Sequence, residues 1–336
     1  MPDDLAQELI RLQLLQQKIR EGHVLEGVRR IIALLNQARR KIVADVMETD
    51  WQRFYLPRLR TAIDTHLEHW RDLALKDLSG DMASNWDLGV TDMTALFTQM
   101  DVKVTLPELP TSLLQALQEK GARRLANLTN FAKNQIDRTV ALSLISGESR
   151  EQTIAKIGTH LEYGTPGGLP QGKFSTIAAR ARFIYEHEVA ASYADAKYRR
   201  FQQNAAHAPG LKKVWLHQVH PRIDREDHVA MHGQTKAPDQ DFVNPGNGVE
   251  LAFPRDPAAP IGETANCTCS MTTWREEFGP LADYIGPPTT APAGGRTRDR
   301  TATLPVDRAK IFPGFPGSLN ITIGTPENRP MRRRRR

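Results

Sequence analysis

Apolar residues return every three or four positions through the first eighty residues, a spacing that suits a long helix and little else. Leu5, Leu9, Leu12, Ile19, Val28, Ile31, Ile32, Leu35 and Ile42 draw a stripe along one side, while Arg29, Arg30, Arg39 and Arg40 occupy the other faces. Gly22 and Gly27 fall inside this run. Each costs a helix about 1 kcal/mol relative to Ala, so a bend or break is expected there. A second helical run spans roughly Trp51 to Leu78, with Pro57 an irregularity near its start. The two runs predict a long hairpin or arm over residues 1–79 whose stripes pack on each other. Part of the stripe is also open to partner subunits, because long, thin helices enclose little core of their own.

The pattern then changes. Gly80, Gly89, Pro107 and Pro110 punctuate residues 80–110, and Val102, Val104 and Leu106 alternate as in a short strand, which predicts a connector. Helix resumes after Pro110, with Thr111 or Ser112 as cap, and runs to Ile145, where Ser146 and Gly147 stop it. A short helix follows the polar cap Ser149. A Gly/Pro-rich loop, Tyr163 to Gly172, leads to a strong helix from about Phe174 to Gln203. Beyond it Lys213–Val219, Val249–Phe253 and Thr268–Trp274 read as strands of a small antiparallel sheet. The expected fold class is α+β and mostly helical. An extended helical N-terminal part and the connector precede a helix-plus-small-antiparallel-sheet module over residues 111–285. A disordered basic tail over residues 286–336 follows, where Pro, Gly, Thr and Arg leave no period.

Charge is uneven along the chain. The net charge is +6, but residues 286–336 hold eleven Arg or Lys against three Asp or Glu, so the other 285 residues hold 34 against 36. The body is near neutral and the tail is basic. Five consecutive arginines, Arg332, Arg333, Arg334, Arg335 and Arg336, suit salt-dependent, sequence-independent contact with DNA phosphates; an acidic protein surface or plain solvent are the other readings. No stretch approaches the roughly 18 consecutive apolar residues of a membrane span, so no membrane partner is expected. Met1, Pro2, Asp3 and Asp4 lack the basic start of a secretory signal, which predicts synthesis in a cytoplasm.

Chemistry concentrates between Trp215 and Trp274. The stretch holds His217, His220, Asp224, Asp227, His228 and His232, then Cys267 and Cys269, the chain's two cysteines. A disulfide across a single residue would be strained, because bridged Cα atoms prefer about 5.5–6 Å. His228 and His232 share a face if that piece is helical. Two imidazoles with two thiolates form a tetrahedral set suited to zinc, and a small sheet with long loops gains stability from such a tie. The predicted ligands are His228, His232, Cys267 and Cys269, with His217 or His220 able to replace one. The same residues also read as ordinary hydrogen-bonding imidazoles and small buried thiols. A four-ligand protein site would be closed and structural, without an open position for water activation.

Enzyme signatures are missing. The HxxxH pair has Val229 where a metalloprotease carries its Glu base, and the deaminase HxE with PCxxC is absent. No GxSxG, P-loop or dinucleotide fingerprint occurs. The chain is therefore expected not to be an enzyme and to have no small-molecule substrate. A metal-dependent hydrolase or nuclease built on Asp224, His228 and His232 is the rival reading, and a non-specific DNA-binding protein acting through the arginine tail is another.

One set of features, in order, resembles a known family. A helix ends at Gly147-Glu148-Ser149; a long helix carries Arg182 and Glu186-His187-Glu188; Val214-Trp215 follows. Arg222 and Arg225 precede His228, Gly233 lies five residues later, then come Phe242, Pro245 and a closing Asn266-Cys267-Thr268-Cys269. From about Leu113 to Cys269 this is similar to the phage Mu F-like minor head protein, or capsid morphogenesis, family. That family usually reads Asn-Cys-Arg-Cys where Thr268 stands, and an acidic residue near His220. The resemblance implies a virion structural protein, a minor head protein of a tailed phage assembled in the bacterial cytoplasm. It further implies contact with portal or major capsid subunits and a part in head morphogenesis, DNA packaging or ejection.

Overall fold

The N-terminal stripe folds into two helices, α1 (Pro2–Glu48) and α2 (Leu56–Gln99). The computed structural model describes residues 2–49, 56–100, 107–161, 176–218, 225–286 and 288. The break expected at Gly22 and Gly27 is not there, because α1 runs through both. Gly27 instead admits a neighbour: a Cβ built on it would lie 1.8 Å from the Tyr185 hydroxyl oxygen. The connector expected from residue 80 is likewise overturned as far as Gln99, because α2 continues through Gly80 and Gly89. A Cβ on Gly89 would sit 2.4 Å from the Tyr193 carbonyl oxygen. Glycine there lets two helix backbones touch, which outweighs its poor propensity. Pro57 stands in the first turn of α2, where its missing N–H goes unneeded. The strand expected over Val102–Leu106, the Tyr163–Gly172 loop and the arginine tail lie outside the described residues.

Three further helices complete the helical body: α3 (Thr111–Ile145), α4 (Arg150–Leu161) and α5 (Ile177–Ala205). The α4 start is a reciprocal capping box, in which Ser149 Oγ accepts from the Gln152 N–H at 3.2 Å and Gln152 Oε1 accepts from the Ser149 N–H at 2.8 Å. Thr176 caps α5 by accepting from the Ala179 N–H at 3.1 Å. One apolar cluster joins all five helices, including Ile31, Leu35, Leu67, Trp70, Leu125, Ile136, Ile157 and Tyr185. The helices α1 and α2 do pack stripe to stripe, as expected, but the larger share of α2's packing goes to α5.

The small sheet sits at the far end of α5. Strand β1 (Lys212–Leu216) is its centre, flanked antiparallel by β2 (Thr235–Lys236) and β5 (Ser270–Trp274). A separate ribbon pairs β3 (Phe242–Val243) with β4 (Glu250–Leu251). Three short helices fill the loops: α6 (Glu226–Ala230), α7 (Ile261–Thr264) and α8 (Leu281–Ile285). Met93 and Phe97 of α2, Phe201 of α5, and Val214 and Trp274 of the sheet share a second apolar cluster, so the module rests on the helices directly. The register decides the rest. Leu216 faces Ser270, so the next residue outward on each strand brings His217 to Cys269.

The interior of α5 also carries ionisable groups. Glu188 is paired with Arg124 of α3, and burial pushes its carboxyl upward against that pairing. His187 stacks on Phe183 at 5.7 Å; burial, then Arg124, Arg255 and Lys120, lower its pKa to about 3.

Two outcomes follow from these placements. Gly89→Ala should destabilise by about 1–3 kcal/mol through overpacking, whereas Gly22→Ala and Gly80→Ala, which meet nothing within 4 Å, should stabilise by roughly 0.5–1 kcal/mol; urea denaturation distinguishes the signs. For His187 the folded form holds fewer protons than the unfolded one between pH 6.5 and about 3. Its contribution is therefore complete above pH 6.5 and is lost as pH falls, by up to about 1.4 kcal/mol per unit. His187→Gln should flatten the acid limb of a stability–pH curve across that window, and an unchanged limb would contradict the burial assignment.

Candidate metal centre

The strand register and α6 together converge on the two cysteines. His228, in α6, places Nδ1 3.6 Å from Cys267 Sγ and 3.7 Å from Cys269 Sγ. His217, just beyond β1, places Nδ1 3.7 Å from Cys269 Sγ. Ligand atoms of His228, Cys267 and Cys269 all lie within 4.8 Å of one another, and all three residues are buried. In tetrahedral zinc, bonds of about 2.3 Å to sulfur and 2.0–2.1 Å to nitrogen separate neighbouring ligand atoms by roughly 3.5–3.8 Å. The spacings of His228 to Cys267 and Cys269 match those edges; His217 matches at Cys269 and stands outside the mutually close set.

His232 does not join them. Helix α6 ends at Ala230 and the chain turns at Gly233, with φ 79°, so the i,i+4 face that would align His228 and His232 never forms. His232 Nδ1 accepts from the His217 N–H at 3.1 Å, and its Nε2 lies 3.1 Å from the Gly286 carbonyl oxygen. Both nitrogens serve the backbone: His232 braces the strand end that presents His217. His220 and Asp224 lie outside the described residues.

A polar set that sequence reading missed holds His228 in place. Its Nε2 is 3.3 Å from Glu263 Oε2. Asn244 donates to both Glu263 and Asp227 at 2.8 Å, and Asn247 donates to the other Glu263 oxygen at 2.7 Å. Arg225 donates to the Glu263 carbonyl at 2.8 Å and also to the Ala265 carbonyl, fixing α7. A carboxylate on one imidazole nitrogen directs the other to the cysteines, the arrangement that orients metal-bound histidines. The only sequence hint was a polar Asn-Pro-Gly-Asn loop at residues 244–247, which spacing alone could not link to Glu263.

Electrostatics follow from this packing. Trp215 stands edge-on to His228 at 5.5 Å and to Phe242 at 5.4 Å, which gives the site an apolar wall. The Cys269 hydrogen bond, with His228 and Arg255, holds the Cys267 thiol well below its usual range, while burial pushes Cys269 well above. Burial opposes charge on His228, but the contacts with Cys267 and Glu263 outweigh it and raise its pKa. Both shifts favour the charged forms, a thiolate on Cys267 and a protonated His228, and a divalent cation would take the place of the protons such donors release.

A buried His/Cys cluster thus lies between a three-stranded sheet and a short helix, seated on a helical bundle. Residues 134–272 match the family described as Phage Mu protein F like protein, and this segment contains every residue of the cluster. The chain is also 32% identical over 94 residues to the uncharacterized protein YqbB of Bacillus subtilis (strain 168), a match covering 28% of this chain and 30% of that relative. No solved structure matches the chain significantly.

Asn244 is fully buried, and its amide also accepts the Gly246 N–H through Oδ1 at 2.8 Å. Asn244→Ala should cost roughly 2–3 kcal/mol in thermal melting by orphaning these groups. A cost below about 0.5 kcal/mol would mean that water replaces the amide.

Proposed function

We propose that the chain is a minor head protein of a tailed phage, a non-enzymatic virion component that acts in head morphogenesis near the portal. The match of residues 134–272 to the phage Mu F-like family carries this reading. In this role the helical body meets portal or major capsid subunits, and the protein reaches the virion head after assembly in the host cytoplasm. The basic tail, through Arg332 to Arg336, gives salt-dependent contact with packaged DNA.

Zinc belongs to the same proposal as a structural ion. His217, His228, Cys267 and Cys269 would hold it, with His217 in place of the His232 expected from sequence. Two thiolates and two neutral imidazoles complete its coordination, so its contribution is folding free energy rather than catalysis. Of the Asp224, His228 and His232 of the hydrolase reading, His232 turns both ring nitrogens to the backbone, and Asp224 lies outside the described residues.

Elemental analysis of the purified protein should find about one zinc per chain. Cys267→Ser/Cys269→Ser should lose it together with thermal stability, His217→Ala should weaken it, and His232→Ala should retain it. Protein without metal, or a stability indifferent to chelation, would sink the structural ion. Purified virions of the parent phage should contain the chain, and its absence from them would sink the virion role whatever the metal result.

A further inference from the structure

The outer face of α1 carries a row of cations that neither the core nor the His/Cys cluster uses. Lys18, Arg29 and Arg40 follow one another at intervals of eleven residues, and all three are exposed. Eleven residues make three helical turns with a drift of about 20°, so the three share a face, about 16.5 Å from one to the next. The helix is continuous from Pro2 to Glu48, and nothing breaks that spacing. Gly22, Ala33 and Ala44 repeat at the same interval beside them. A Cβ on Gly22 would meet nothing within 4 Å, and both alanines are exposed. Small residues leave the cations standing clear of the ridge, with Leu25, 47% exposed, the one large apolar group among them.

Charge is unbalanced along this stretch. Between residues 18 and 44, α1 holds seven Lys or Arg against two Glu. Both carboxylates are engaged: Glu21 accepts from Gln17 at 2.8 Å, and Glu26 lies 3.4 Å from Arg30. Asp77 and Asp81 of α2 also face Arg30. Lys18, Arg29 and Arg40 make no ion pair among the described residues. On the other helices Arg60, Arg123, Lys133 and Lys156 each meet a carboxylate. Three unanswered cations in register form a positive stripe on a body that is otherwise near neutral.

We propose that this face of α1 binds duplex DNA, helix and duplex axes side by side, with Lys18, Arg29 and Arg40 each on a phosphate. One turn of duplex spans about 34 Å, and Lys18 and Arg40 stand about 33 Å apart. They reach one strand a full turn apart, and Arg29, midway, reaches the other strand. Duplex stays straight over that length, because its persistence length is about 50 nm. Contacts to phosphate alone carry no sequence preference. An acidic protein surface has no reason to repeat at this interval. The ridge is separate from the Arg332–Arg336 tail, and it takes from the proposed virion role only the source of the duplex.

The full chain is titrated against a labelled duplex of about two helical turns, and fluorescence anisotropy is followed over roughly 50–200 mM salt. Lys18→Gln/Arg29→Gln/Arg40→Gln should make the slope of log affinity against log salt shallower by about 2.7, roughly 0.9 for each phosphate lost. Arg58→Gln/Arg123→Gln/Arg138→Gln removes as much exposed charge from α2 and α3 and should change the slope by less than about 1. Arg29→Gln/Gln37→Arg keeps the charge but turns it about 80° off the row, and should lose one contact, roughly 0.9 of slope. Replacing Arg332–Arg336 with glutamine should leave the effect of the α1 triple variant in place. A wild-type slope in that triple variant, an equal loss in the α2/α3 variant, or equal affinity of the tail-substituted chain for duplex and single strand would overturn the proposal. A chain present in virions that fails this titration keeps its head role and loses the ridge; a chain absent from virions that passes it loses the role and keeps the ridge.

Discussion

Everything else in this protein depends on α5 being buried on nearly every side. Its surface is made of small residues, Ala178, Ala181, Ala190, Ala191, Ser192 and Ala196, all of them buried. Small side chains let neighbouring axes come close, and the facing helices answer in kind: Gly27 of α1 takes the Tyr185 ring and Gly89 of α2 takes the α5 backbone itself. Close approach gains dispersion contacts over long helical surfaces. It also excludes water from whatever polar groups α5 carries, which is why His187, Glu188, Lys197 and Asp195 are buried there and need answering charges.

That burial sets the position of the sheet. Phe201, near the end of α5, shares a cluster with Val214, Met271 and Trp274, so β1 and β5 are anchored before any loop is considered. The antiparallel register then delivers His217 to Cys269, and Met231 and Phe242 close the apolar wall around Trp215. The His/Cys cluster is thus the meeting point of one rigid pairing and one loop helix. Both strands are buried on both faces, over Lys213–Leu216 and Met271–Trp274, so a slip of one residue would send every side chain to the opposite packing surface. The loop helix has little apolar burial of its own, and there Arg225, Asn244 and Glu263 act in its place.

Much of this was legible from sequence where a local signal and a packing need agree. The α3 boundaries follow from Pro110 and from Ser146-Gly147, the α4 start from Ser149, and two of the strands from their β-branched and aromatic content. Reading failed where a residue's local tendency is overridden from outside the segment. Gly22, Gly27, Gly80 and Gly89 look like breaks by propensity, yet two of them are contact points visible only once α5 is in place. His232 failed for the opposite reason: its spacing from His228 had meaning only inside a helix, and α6 ends two residues too early. Glu263 gave no signal and Asn244 only a polar loop, because their role is defined by a fold-level encounter between loops far apart in sequence.

The boundaries of the family match sharpen the relation between the helical N-terminal part and the module. The matched segment begins at residue 134, inside α3, and ends at residue 272, inside β5. Yet the cluster that buries Ile136, Val140, Ile157 and Tyr185 also contains Ile31, Leu35, Ile42, Leu67 and Trp70 from α1 and α2. Uncovering those side chains would expose apolar surface from both parts, a cost that scales with the area uncovered. The matched segment therefore shares one core with α1 and α2 in this chain. The N-terminal helices are not an arm hung on a finished module; they form one wall of its core.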